Sequence, residues 1–132
     1  MPHTILEYSS DLDPLPDFRQ LFAEVHAILD DVAGARIANA KSRGIPVEAY
    51  VGDGDARRAF VHLEIRLMEG RSTEVKAEVA SSCLEVLVAA FDDASMHRDL
   101  QTTVHVTDLE RATYGKYPPG TIPDAHTGPG ER

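Results

Sequence analysis

Two long stretches of the chain repeat their apolar residues every three or four positions, and a third alternates without a break. In DFRQLFAEVHAILDDVAG, residues 17–34, the residues Phe18, Leu21, Phe22, Val25, Ile28, Leu29 and Val32 keep i, i+3, i+4, i+7 spacing. That is one face of an amphipathic helix. Asp17 and Gln20 stand at capping-box spacing at its start, and Gly34 fits a C-terminal stop. Residues 72–94 predict a second helix, with Val75, Val79, Cys83, Val86, Leu87, Ala90 and Phe91 on one side and Ser72 or Thr73 as its cap. The alternating stretch is AFVHLEIRL, residues 59–67. Ala59, Val61, Leu63, Ile65 and Leu67 point one way; Phe60, His62, Glu64 and Arg66 point the other. This predicts a strand with one buried face and one face that is wet or covered by a partner.

Shorter signals complete the plan. Residues 2–8 (PHTILEY), 45–51 (IPVEAYV) and 102–109 (TTVHVTDL) read as strands, and GDGD at 52–55 as a turn. The order is strand–helix–strand, twice. Helical crossovers imply parallel pairing within each half. The expected fold is α+β: a two-layer sandwich of two β-α-β units, with a four-stranded mixed sheet and both helices on one face. The other sheet face is left for an oligomer to cover. A domain over residues 1–112 is followed by a tail, 113–132, with four prolines and four glycines, expected to be irregular or laid on a neighbour.

With 132 residues and 42% hydrophobic residues, the chain predicts one domain with a real core. The net charge of −9 argues against a nucleic-acid partner, which needs a basic face, and against an anionic membrane. The N-terminus lacks a basic region followed by an apolar run, and no apolar stretch approaches the roughly 20 residues of a membrane helix. The expected location is the cytoplasm. Cys83 is the one cysteine, so no internal disulfide forms, and its place in an apolar helical pattern assigns it to the core.

The first strand opens on Pro2, an awkward residue for a ladder because it cannot donate. Edge and first positions tolerate proline. The sharper reading is that Met1 is removed and Pro2 becomes a chain terminus with a free secondary amine. An ordinary α-amino group has a pKa of about 7.7–8.0. Desolvation and nearby cations lower such a value, which would make Pro2 a base near neutral pH. Arg71, in the EGRS connection ahead of the second helix, stands where an anion is favoured, and a guanidinium grips a carboxylate bidentately.

PHTILEYS at the start, SRGIPVEAY, and AFVHLEIRLMEGRSTEVKAEV together resemble the 5-carboxymethyl-2-hydroxymuconate isomerase family of the tautomerase superfamily. The resemblance runs from Pro2 to about Leu109. It implies a homotrimer, no cofactor and no metal, with the amino-terminal proline as general base. The implied substrate is a small anionic unsaturated 2-hydroxy acid from homoprotocatechuate catabolism. The enol proton leaves and a proton returns to a distant carbon, giving the oxo form. Within the resemblance Pro2 and Arg71 are the catalytic residues. The family's functional arginine falls two positions before Arg43, in a pattern like RSR. Here the pattern is KSR, so Lys41 stands there and binds a carboxylate as a point charge without the fork. Lys41, Arg43 and Arg36 are the candidate carboxylate binders, and Phe60 is a candidate apolar wall.

Other residues carry less. Glu7 and Tyr8 complete the EYS match, with Tyr8 assigned to packing. His3, His62 and His105 lack short ligand spacing, so no metal site is expected. Two rivals stay open: another amino-terminal-proline reaction, such as keto-acid tautomerisation or hydration of a halogenated acrylate, and a non-catalytic trimeric binding module that retains Met1.

Overall fold

The computed structural model describes residues 2–119. Its elements are β1 (His3–Ser9), α1 (Phe18–Ala33), β2 (Lys41–Val47), β3 (Arg58–Met68), α2 (Thr73–Ala90), a short α3 (Asp92–Ser95) and β4 (Asp99–Leu109). The strands form one sheet in the order β2-β1-β3-β4. β1 pairs with β2 in parallel, β3 with β4 in parallel, and β1 with β3 antiparallel. The two β-α-β halves, each parallel within itself as the double rhythm predicts, meet at the central β1–β3 seam.

Both helices cover one face. Leu21, Val25 and Leu29 of α1, Val79, Cys83 and Leu87 of α2, and the alternating Ala59 to Leu67 set of β3 join in a single buried cluster. Asp17 caps α1 by accepting from the Arg19 and Gln20 N–H groups, and Gly34 ends it at φ 66°, a left-handed value suited to glycine. Ser72 caps α2 through the Val75 N–H. On the opposite face Phe60, His62 and Glu64 stay half-buried and Arg66 exposed.

Three elements differ from the sequence reading by three residues or more at an end. β2 runs 41–47 rather than 45–51, because the Lys41 N–H reaches the Pro2 carbonyl at 3.0 Å and pairing proceeds from there. The resulting alternation turns the nitrogen of Pro46 to the open edge of the sheet, where a missing N–H costs no ladder bond. The second helix stops at Ala90 rather than running to 94. Phe91 leaves helical backbone values (φ −100°, ψ 15°) with its ring in the core, and the redirected α3 then buries Ala94. β4 begins at Asp99 rather than 102: its N–H donates to the Arg57 carbonyl at 2.8 Å, and its carboxylate meets Arg58 at 2.6 Å.

Candidate active site

β1 and β2 begin, and β3 and β4 finish, at the same end of the sheet. Pro2 lies there, buried, at the head of the central strand β1. Its carbonyl is held by the Lys41 N–H, so the nitrogen of Pro2 is placed by sheet pairing rather than by a loose end. In register, His3 faces Lys41 on one side and Arg66 on the other. The polypeptide leaves β3 through Glu69 and Gly70 (φ 121°) and delivers Arg71 to this same end.

Arg71 is fixed. Its Nε–H donates to the Ala33 carbonyl at 2.9 Å and its Nη1 to the Met68 carbonyl at 3.1 Å. These bonds tie the C-terminal turn of α1 to the end of β3 and leave Nη2 for another acceptor. Burial, and then the charge of Arg111, lower the pKa of Arg71 from its ordinary value; an arginine remains charged at neutral pH regardless. Lys41 Nζ donates to the Asn39 carbonyl at 3.1 Å. Arg43 Nη1 meets His3 Nδ1 at 3.1 Å, and His3 Nε2 meets the Tyr114 hydroxyl at 2.7 Å. Burial and the nearby Arg43, Lys41 and Arg66 charges push the His3 pKa down. Arg36 is half-buried in the link between α1 and β2.

A depression of about 550 Å³ opens between α1 and the outer strand β2. Arg19, Lys41 and Arg43 line it with positive charge, and Phe22 gives it an apolar patch. At its floor His26 Nε2 lies 2.6 Å from Ser42 Oγ, which in turn contacts Thr4 Oγ1. Burial lowers the His26 pKa. On a chain of net charge −9, this end is a local basic field of the kind that attracts anionic ligands.

The structure thus brings Pro2, Lys41, Arg43 and Arg71 to one end of the sheet. It does not bring Phe60 there. The Phe60 N–H donates to Ser9 Oγ at 2.9 Å, a full strand length from Pro2, roughly 20 Å. Tyr8 packs in the core against Phe18, with ring centroids 5.3 Å apart. Glu7 pairs in register with His62 on the uncovered face. His62 and His105 both engage the Glu64 carboxylate, at 2.9 and 3.2 Å, while His3 belongs to the Pro2 end. In the GDGD turn, Asp53 and Asp55 are taken up by Arg58 and Arg57.

Sequence reasoning missed Tyr114, which it placed in an irregular tail. In the structure a 3-10 turn at Arg111–Thr113 carries Tyr114 back onto His3 of its own chain. The available signal was a tyrosine just past the last strand, within a Pro/Gly-rich segment. The tail from 120 onward lies outside the described residues. Arg19, His26 and Ser42 were also missed; only the fold sets the face of α1 beside β2.

Two β-α-β units, helices on one face of a mixed sheet and a proline heading the central strand define a tautomerase-type fold. The sequence profile of the 5-carboxymethyl-2-hydroxymuconate isomerase family matches residues 2–119. The chain belongs to that family, a family of isomerases. It is similar to the 5-carboxymethyl-2-hydroxymuconate Delta-isomerase of Escherichia coli, 27% identical over 110 residues, covering 83% of this chain and 87% of the relative. It is similar to the crystal structure of a 5-carboxymethyl-2-hydroxymuconate isomerase from Deinococcus radiodurans R1, with 28% identity, a TM-score of 0.74 and 87% of each chain covered. A fused 4-OT symmetric trimer shares the fold at 15% identity and a TM-score of 0.70, covering 90% of this chain and 94% of the other.

Proposed function

We propose that this protein is a 5-carboxymethyl-2-hydroxymuconate Delta-isomerase in which Pro2, freed by removal of Met1, is the general base. The observation that carries the reading is the buried Pro2, locked at the head of β1 by Lys41 and set at the same end of the sheet as Arg71 and Arg43. Burial and cations both favour an unprotonated amine. The amine takes the proton of the substrate 2-hydroxyl, leaving a dienolate. It returns the proton to a distant carbon, so the 2-oxo acid forms with one double bond moved and no net change in atoms or charge. Arg71 is held by two backbone carbonyls, so its remaining donors are preorganised to grip a carboxylate and draw the developing charge. Lys41 and Arg43 bind the other carboxylates.

The expected setting is the cytoplasm and the catabolism of homoprotocatechuate. The expected assembly is a homotrimer that covers the open sheet face. In it Phe60 would line a site only across a subunit boundary. Among the described residues no helix is long and apolar enough to cross a membrane. Lys41, in place of a forked guanidinium, favours as second reading an amino-terminal-proline tautomerase acting on a different 2-hydroxy or 2-oxo acid.

The test is ultraviolet-monitored isomerisation of 5-carboxymethyl-2-hydroxymuconate by protein whose mass shows Met1 absent. Fast turnover supports substrate and reaction together. A folded protein with Met1 removed and no turnover removes the substrate and moves the assay to shorter keto–enol acids.

A further inference from the structure

His3 has both ring nitrogens engaged, and its partners fix where its proton sits. Arg43 Nη1 lies 3.1 Å from Nδ1, and a guanidinium only donates. Nδ1 is therefore the unprotonated acceptor. A neutral imidazole has one N–H, which then stands on Nε2 and is donated to the Tyr114 oxygen at 2.7 Å. A doubly protonated ring would set N–H against N–H at Arg43. Burial and the Arg43, Lys41 and Arg66 charges disfavour that form as well.

Tyr114, as the acceptor from His3, keeps its own hydroxyl hydrogen. Among the described residues no acceptor in the chain receives it. The placement is built into the fold. The Arg111 N–H donates to Glu69 Oε2 at 2.7 Å, which clamps the last turn onto the end of β3, and the Tyr114 ring meets His3 edge-on with centroids 5.9 Å apart.

We propose that the Tyr114 hydroxyl donates a hydrogen bond to a carboxylate of the ligand, across the His3 ring from Arg43, and that His3 is the positioning residue that orients it. The chemistry of the ligand follows from the neighbours. His3 opens β1 at the end of the sheet face it shares with Arg43 and Arg66, and Lys41 pairs beside it, so an acceptor arriving at that end, rather than over the face the trimer is expected to cover, is drawn as an anion. The substrate named above carries three carboxylates, and each has lone pairs to accept from a hydroxyl besides the cation that holds it. The identity of the ligand rests on the isomerase reading; the direction of the His3–Tyr114 bond does not.

The experiment uses the full chain and cis,cis-muconate, an unreactive dicarboxylate, as probe. Calorimetry compares wild type with Tyr114→Phe, His3→Leu and His3→Gln. A hydrogen bond to a charged group is typically strong enough that its loss weakens binding about tenfold or more. Tyr114→Phe and His3→Leu are each expected to show that loss, and His3→Gln, which still accepts and donates, to regain most of it. If the isomerase is active, Tyr114→Phe raises KM about tenfold and leaves kcat within about twofold. Long-range proton–nitrogen NMR is expected to show His3 as the neutral Nε2–H tautomer at pH 7. Equal muconate affinity in wild type and Tyr114→Phe, no muconate binding by wild type, or an Nδ1–H or doubly protonated His3 overturns the proposal. Tyr114-dependent muconate binding without turnover leaves the proposal standing and sinks the isomerase reading alone.

Discussion

Arg71 Nε–H donates to the Ala33 carbonyl at 2.9 Å, fastening the turn before α2 to the last turn of α1. The same side chain is proposed to hold the substrate, so one residue serves both packing and chemistry. Arg71→Ala is expected to lower stability by about 1–3 kcal/mol, since it leaves the Ala33 and Met68 carbonyls without their charged donor. It is also expected to lower kcat/KM by at least about a hundredfold. Arg71→Lys keeps the charge but not the fork, and is expected to recover less than a tenth of the lost activity. Urea unfolding alongside steady-state kinetics separates the two effects.

Most of the architecture was legible because it rests on periodicity. The Ala59-to-Leu67 alternation in β3 buries every residue the pattern selects, and the stripes of α1 and α2 bury Leu21, Val25, Leu29, Val79, Cys83, Leu87 and Phe91, with the rest of each stripe half-buried at its margin. The boundaries that moved depend on partners distant in sequence. The pairing of Lys41 with Pro2, and of Asp99 with Arg57, cannot be seen in local composition. Of the candidate site, the cations and the proline that the sequence singles out fall at one end of the sheet. Its supporting contacts were not legible: His3 meets Tyr114 across 111 positions of sequence, and nothing local to either residue announces the other.

Burial fixes the behaviour of Cys83. Its side chain is fully enclosed, and burial pushes its thiol up to about 12. The reactive thiolate is thus scarce and shielded. The native protein is expected to resist thiol alkylation over hours at pH 8 and to label fully in denaturant. Rapid labelling of the folded chain contradicts this.

Two histidines make stability depend on pH in a defined window. His3 and His26 each have a folded pKa lowered below the ordinary 6.5, in both cases chiefly by burial. In the unfolded chain they take up protons near 6.5; in the folded chain they resist until lower pH. Stability from this source is fully present above about 6.5 and is lost as pH falls through the folded values. The urea midpoint is expected to fall between pH 7 and pH 5, and the double variant His3→Gln, His26→Gln to flatten that slope. A wild-type midpoint level across the window speaks against both assignments.

Leu63 stands at the centre of the buried face of β3, with no exposed surface, paired directly with Leu6 of β1. Leu63→Ala is expected to cost about 2–5 kcal/mol, the range for a cavity opened in a packed core. Chemical unfolding with an unchanged denaturant slope checks it.

Phe60 offers half-buried apolar surface on the uncovered sheet face. If a second and third copy cover that face, Phe60→Asp is expected to shift the sedimenting species from three chains to one. A wild type that sediments as a single chain at micromolar concentration removes the trimer.

The proposed mechanism turns on the freed nitrogen of Pro2 acting as the base. The most direct measurement is kcat/KM for 5-carboxymethyl-2-hydroxymuconate in wild type lacking Met1 and in a chain that keeps Met1, whose Pro2 nitrogen is a non-basic amide, both verified by mass. A positioned general base is typically worth about 10² to 10⁴ in rate. A loss of at least about a hundredfold in the chain that keeps Met1, with its fold intact, is the predicted result. Equal activity in the two proteins would contradict the account.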